Sequence, residues 1–199
     1  MFQSLTTGAI MTNEETILEG QIRECYGRVV YTHKTHEKCA DLLFKRHQCI
    51  KVWQIVLSAL VTGGVLGALW PDGTFLLTLL TAGLSTVLLA LNSYTKDYDL
   101  GEVAQKHRHA ASEIWVIRER YLSLLTDLRS RTVSLEVARE TRDLLLAELG
   151  SIYSGAPSTN SKAYKLAQAG LKNMEEMTFS DEEIDKFIPQ ELRRSKARN

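Results

Sequence analysis

Residues 52–70 read VWQIVLSALVTGGVLGALW and residues 75–91 read FLLTLLTAGLSTVLLAL, with no Asp, Glu, Lys or Arg in either run. As a helix, the first run extends roughly 28 Å, close to the ~30 Å hydrocarbon thickness of a bilayer. Between the runs stands Pro71-Asp72-Gly73-Thr74, which leaves room only for a tight turn. The pattern predicts two membrane-spanning helices, 52–70 and 75–95, folded as an antiparallel hairpin about an extracytoplasmic turn at 71–74. A core hairpin of a soluble protein is the competing expectation, and the length of the uncharged runs weighs against it. A secretory signal fits poorly, because the first run begins past residue 50, behind a charged segment.

The flanks set the orientation. Lys45, Arg46 and Lys51 precede the hairpin, Lys96, Lys106 and Arg108 follow it, and the turn carries neither Lys nor Arg, so both termini are expected in the cytoplasm. Over the 199 residues, 24 Lys+Arg balance 24 Asp+Glu, which argues against nucleic-acid binding driven by counterion release. An apolar content of 44% argues against disorder. Cys25, Cys39 and Cys49 form no C-x-x-C unit and suit a reducing compartment.

Outward from the spans, the chain reads as an all-α membrane protein. Residues 1–11 carry no start signal and are expected to be flexible. Thr12-Asn13-Glu14-Glu15 matches a capping box and opens a cytoplasmic helix over 12–51, with a seam through Leu18, Ile22, Cys25, Val29, Thr32, His36, Cys39, Leu43, Arg46, Ile50 and Trp53. After the second span, Leu100, Val103, His107, Ala110, Ile114, Ile117, Tyr121, Leu124 and Leu128 repeat at spacings of three and four. That seam stays in step with the second span, so one helix is expected to run unbroken from the bilayer into the cytoplasm. The long segment 96–153 should break near 129–134, where Ser134 can cap a restarted helix. The two seams suit antiparallel, coiled-coil-like packing. A linker at 154–161 then leads to short C-terminal helices and a basic tail over 162–199, including Arg193, Arg194, Lys196 and Arg198.

Catalytic signatures are missing from the sequence: it has no G-x-S-x-G and no glycine-rich phosphate loop. No enzyme activity and no cofactor are expected. His33-x-x-His36-x-x-Cys39 has ligand-like spacing along one helical stripe, yet it reads better as seam or solvated histidines than as a metal site. His107 and His109 raise the possibility of a protonation switch, with no visible partner. Arg118, Arg120, Arg131 and Arg142 could line a basic groove for a phosphate ligand, although ion-paired arginines are the simpler expectation.

Inside the spans, Gln54, Ser58 and Thr62 line one side of the first helix, while Thr74, Thr78, Thr81 and Ser85 form a stripe on the second, continued by Asn92. Polar stripes need a neighbour other than lipid. They either bond helix to helix or face a water-filled pore in an oligomer. Ala59, Gly63 and Gly67 form a small-residue ridge suited to close helix packing.

The string Ile152-Tyr153-Ser154-Gly155-Ala156-Pro157-Ser158-Thr159, with Lys162-Ala163-Tyr164 after a helix, hairpin and returning helix, resembles the SLATT family of two-span membrane effectors. The tail from Thr178 through Ser180-Asp181-Glu182-Glu183 to Pro189, with Leu192-Arg193, resembles the extra C-terminal helix of the subfamily encoded beside reverse transcriptases. The resemblance implies a homo-oligomeric effector of a prokaryotic antiviral conflict system, set in the inner membrane, whose pore answers to a reverse transcriptase or another sensor enzyme, or to a nucleotide or nucleic-acid trigger. A non-conducting scaffold that recruits a partner through its cytoplasmic helices is the alternative. A calcium channel of the mitochondrial uniporter type shares the plan but requires acidic filter residues, and Asp72 stands alone at the turn.

Overall fold

The computed structural model describes residues 12–70, 74–173, 179–190 and 193. Within them are six α-helices: α1 (Asn13–Ala68), α2 (Phe75–Asp97), α3 (Leu100–Ser130), α4 (Leu135–Gly155), α5 (Ser161–Asn173) and α6 (Asp181–Phe187). The expectations for residues 1–11, for Asp72 in the turn, for residues 174–178 between the C-terminal helices and for Arg194, Lys196 and Arg198 fall outside the described residues.

Helix α1 starts where its cap dictates. The Glu15 amide donates to the Thr12 hydroxyl (3.2 Å), and the Thr12 amide donates to the Glu15 carboxylate (2.7 Å). From there 56 residues run without a break through the charged segment and the apolar run, ending at Ala68 with Leu69 as C-cap. Leu69 and Trp70, expected inside the span, therefore lie in its terminating turn.

The second span behaves differently, and the expectation of one unbroken helix is corrected. Helix α2 ends at Asp97, and Asp99 caps a new helix, its carboxylate accepting from the amides of Gly101 (2.8 Å) and Glu102 (3.0 Å). Those amides hold the Asp99 carboxyl below its ordinary range. The side chain competes with the backbone for the first-turn donors, which splits α2 from α3 despite the matching seam. His47 of α1 packs at the same joint, 3.2 Å from where a Cβ on Gly101 would stand.

Distal to the hairpin, α3 lies along α1 and α4 folds back on α3. Arg131, at φ 57°, ends α3 in the left-handed region, and Ser134 caps α4 by accepting from the Val137 amide. The core joins Leu18, Ile22 and Val29 of α1 to Ile114, Ile117, Tyr121, Leu124 and Leu128 of α3 and to Ala138, Leu145 and Leu149 of α4. Each large side chain fully removed from water there contributes about 1.5–3 kcal/mol. Arg131 pairs with Glu15 (3.2 Å) and Arg139 with Glu14 (3.4 Å), linking the α3 end and α4 to α1, and Arg120 pairs with Glu148 between α3 and α4. Helix α5 then crosses α1, burying Ala163, Ala167 and Gly170, with Asn160 donating to the Cys39 thiol (3.7 Å).

Candidate functional site: the apolar hairpin and its joint at Asp99

An 18-residue window in α1 reaches a mean hydropathy of 1.7, and one in the helical stretch Phe75–Ser130 reaches 1.9. Only 6% of each window is buried within the chain, unlike the core helix of a soluble protein, which is mostly buried. Ile55, Leu66, Phe75 and Leu89 stand largely exposed. Two helices of this chain are thus long and apolar enough to cross a membrane, and their apolar surface is left for lipid or for another copy.

The two helices pack antiparallel: Gly67 lies against Leu77, Gly64 against Thr81, and Gln54 against Asn92 and Thr95. The seam is formed by Gln54, Leu57, Val61, Gly64 and Ala68 on α1 and by Leu77, Thr81, Leu84, Leu88, Leu91 and Thr95 on α2, all at least half-buried. Its glycines meet α2 most tightly at Gly64, where a Cβ would stand 2.3 Å from Thr81 Oγ1. At the end away from the turn the Gln54 amide donates to Asn92 (2.9 Å) and to Thr95 (3.0 Å), a polar clasp between the helices.

The structure divides the sequence-derived polar set. Thr81 faces the seam and donates to the Leu77 carbonyl (2.8 Å), and Thr74 caps α2 by accepting from the Leu77 amide (3.3 Å). Gln54 and Asn92 are spent on each other. Ser58, Thr62, Thr78 and Ser85 remain exposed. At about 100° per residue, Ser58 and Thr62 fall on one flank of the α1 seam. Because α2 runs the opposite way, Thr78, Ser85 and Asn92 fall on that same flank, which the Gln54–Asn92 clasp confirms. Exposed Val65 and Leu89 share that flank with the hydroxyls, while the other flank carries Trp53, Val56, Leu60, Leu76, Leu80 and Val87, all exposed and apolar. Of the small-residue ridge, Gly67 meets Leu77, whereas Gly63 has nothing within 4 Å of its Cβ position and Ala59 faces outward. The residue that lets the two helices approach is Gly64, which a sequence ridge drawn through 59, 63 and 67 passes over.

A family model for SMODS and SLOG-associating 2TM effector domains, family 4, matches residues 18–183. The chain belongs to this family. It is a two-transmembrane effector domain of the kind found in conflict systems, and a membrane protein by that membership and by its two apolar helices. No curated protein and no solved structure matches it.

The part of this SLATT domain beyond the two apolar spans holds two further features. A cleft of about 690 Å³ opens between α1 and α3, lined by Lys34, Lys38, Arg108 and Arg118, by Glu37 and Asp41, and by His33 and Trp115. Its charges are engaged: Lys34 pairs with Glu37 (2.9 Å), Arg108 approaches Asp41 (4.0 Å), and Arg118 pairs with Glu119. Arg118, Arg120, Arg131 and Arg142 are ion-paired, as the simpler expectation had it, and do not form one basic groove. Arg120 and Arg131 bind carboxylates elsewhere, and Arg142 pairs with Asp143 (2.7 Å) and donates to Gln21 (2.6 Å). The second feature is a buried histidine pair, His36 of α1 and His107 of α3, with their Nδ1 atoms 3.0 Å apart. Sequence reasoning placed each on its seam without seeing that the seams bring them together. His109 is exposed, 3.7 Å from Glu113.

Proposed function

We propose that the chain is the membrane effector of a prokaryotic antiviral conflict system, which oligomerises in the inner membrane with both termini cytoplasmic and forms or opens a pore when triggered. The observation that carries this reading is the collection of Ser58, Thr62, Thr78 and Ser85 on one flank of the hairpin, opposite an apolar flank. A ring of such hairpins turns hydroxyls toward water and the Leu, Val and Trp side chains toward lipid, the arrangement a wet passage through hydrocarbon requires. The effector acts without catalysis or a cofactor. Its trigger, a reverse transcriptase, another sensor enzyme or a nucleotide, engages the cytoplasmic helices, and the cleft between α1 and α3 offers a place where one ligand touches both. To shift the population, that ligand must bind the open packing more tightly than the closed one.

The scaffold reading draws on Val137, Leu144 and Leu146, exposed on α4 and suited to a protein partner. Replacing Ser58, Thr62, Thr78 and Ser85 together by Leu separates the two. A pore loses triggered depolarisation of the cell while the oligomer persists on crosslinking. A scaffold keeps its function.

A further inference from the structure

His36 and His107 meet between α1 and α3, about 24 Å of helix below the start of the first span. Both are almost wholly buried, at 3% and 2% exposure. With Nδ1 facing Nδ1 at 3.0 Å, one imidazole must donate and the other accept, so the pair is bonded only while the acceptor keeps its lone pair. A further proton would set two N–H groups against each other in a site removed from water.

We propose that this pair is a proton-operated latch: uptake of a proton by the accepting imidazole drives the membrane-proximal ends of α1 and α3 apart and biases the effector toward its open packing. The link from helix separation to opening rests on the pore reading above; the latch itself does not.

Two independent features support it. The packing around the pair is lighter than in the distal core. The fully buried large side chains stop at Val29 and Ile114, and toward the membrane the fully buried partners are Thr35, Cys39 and Ala40 on α1 and Ala104, Ala110 and Ala111 on α3, with Leu43 and Val103 only half-buried. Parting the helices there exposes less apolar area than opening the distal core and leaves that core intact. In addition, the Tyr98–Asp99 joint lets α3 swing without unwinding α2.

The surrounding charges do not welcome the proton. On α1 the titratable neighbours are His33, whose Nε2 lies 3.8 Å from Glu37, and Cys39. From α5, Tyr164 packs on Tyr31. On α3, Arg108 sits over Phe44 and approaches Asp41 beyond the pair. The groups that act on His36, after burial itself, are His107 and then His33, both opposing its charge. Burial lowers His107 as well. A separated His36 returns to its ordinary value near 6.5, so one pH unit below that value it favours separation about tenfold. Proton entry through a pore would acidify the cytoplasm and hold the effector open, a positive feedback.

The test measures distances by pulsed electron-electron resonance on the full chain in nanodiscs, labelled at pH 7.5 on Lys45→Cys and Lys106→Cys, with Cys25→Ser and Cys49→Ser and the buried Cys39 retained. A second pair, Glu24→Cys with Ser123→Cys, reports the distal core. The latch predicts that the 45–106 distance lengthens between pH 7.5 and 5.0 while the 24–123 distance holds. The change should vanish in His36→Asn/His107→Gln, whose amides bond without titrating. An unchanged 45–106 distance, equal lengthening in the amide variant, or lengthening of both pairs together overturns it. If the labels respond while liposomes carrying the unlabelled protein stay tight at both pH values even with the trigger bound, the pore reading fails and the latch stands.

Discussion

Adding one methyl group at residue 64 should loosen the hairpin, while adding it at residue 63 should not. A Cβ on Gly64 would lie 2.3 Å from Thr81 Oγ1, 3.2 Å from its Cγ2 and 3.3 Å from its Cβ, whereas the Cβ position of Gly63 meets nothing within 4 Å. Carbon contacts settle near 3.5–4.0 Å, so the helices must separate or Thr81 must rotate. Rotation forfeits the 2.8 Å bond to the Leu77 carbonyl, worth about 0.5–1.5 kcal/mol, and separation weakens the seam. Overpacking of this kind costs about 1–3 kcal/mol. Both substitutions gain the same helix propensity, up to about 1 kcal/mol, so the difference between them isolates the contact. The assay is denaturant unfolding followed by tryptophan fluorescence, in micelles dilute enough to keep the protein monomeric. Gly64→Ala should be less stable than Gly63→Ala by about 1–3 kcal/mol. Adding Thr81→Ala to Gly64→Ala should recover most of that loss, a coupling of at least about 1 kcal/mol. Equal stabilities for the two alanine variants, or strict additivity in the double variant, would refute the seam.

The remaining predictions concern the joint at Asp99 and the core beyond the spans. His36 is held down to about 4 by burial and by its imidazole neighbours, below its unfolded value of 6.5. The unfolded chain therefore binds more protons between these values, and this contribution to stability is complete above pH 6.5 and lost as pH falls toward 4. Thermal midpoints should drop over that window, and the His36→Asn/His107→Gln variant should show a shallower fall. Removing the cap with Asp99→Ala should speed amide hydrogen exchange at Gly101 and Glu102, with the Asn13–Ala68 helix unaffected; unchanged exchange would contradict the capped joint.

The parts of this fold that sequence discloses are those set by short-range chemistry. The Thr12–Glu15 box starts α1, Ser134 starts α4, and the uncharged runs give two helices apolar enough to span. The spacings of three and four through Ile114, Ile117, Tyr121, Leu124 and Leu128 coincide with buried residues of α3. The joint at Asp99 escaped the same reasoning because the apolar period continues across it, and only a competing side-chain hydrogen bond breaks the helix. Within the hairpin, a run rich in small and hydroxyl residues at every helical face does not disclose which face meets the partner. That choice rests on the rotation of α1 against α2, which brings Gly64 rather than Gly63 onto Thr81. The His36–His107 contact likewise needs the relative register of two helices 71 positions apart in sequence.

The central claim is that the hairpins assemble into a triggered passage. The direct measurement is ion current and dye release from liposomes holding the purified protein, recorded alone and with its trigger enzyme added on the side bearing the termini. The account predicts currents that appear or rise with the trigger and that disappear when Ser58, Thr62, Thr78 and Ser85 are all Leu. Tight liposomes in every condition, with protein shown to be inserted, oligomeric and trigger-bound, would contradict it.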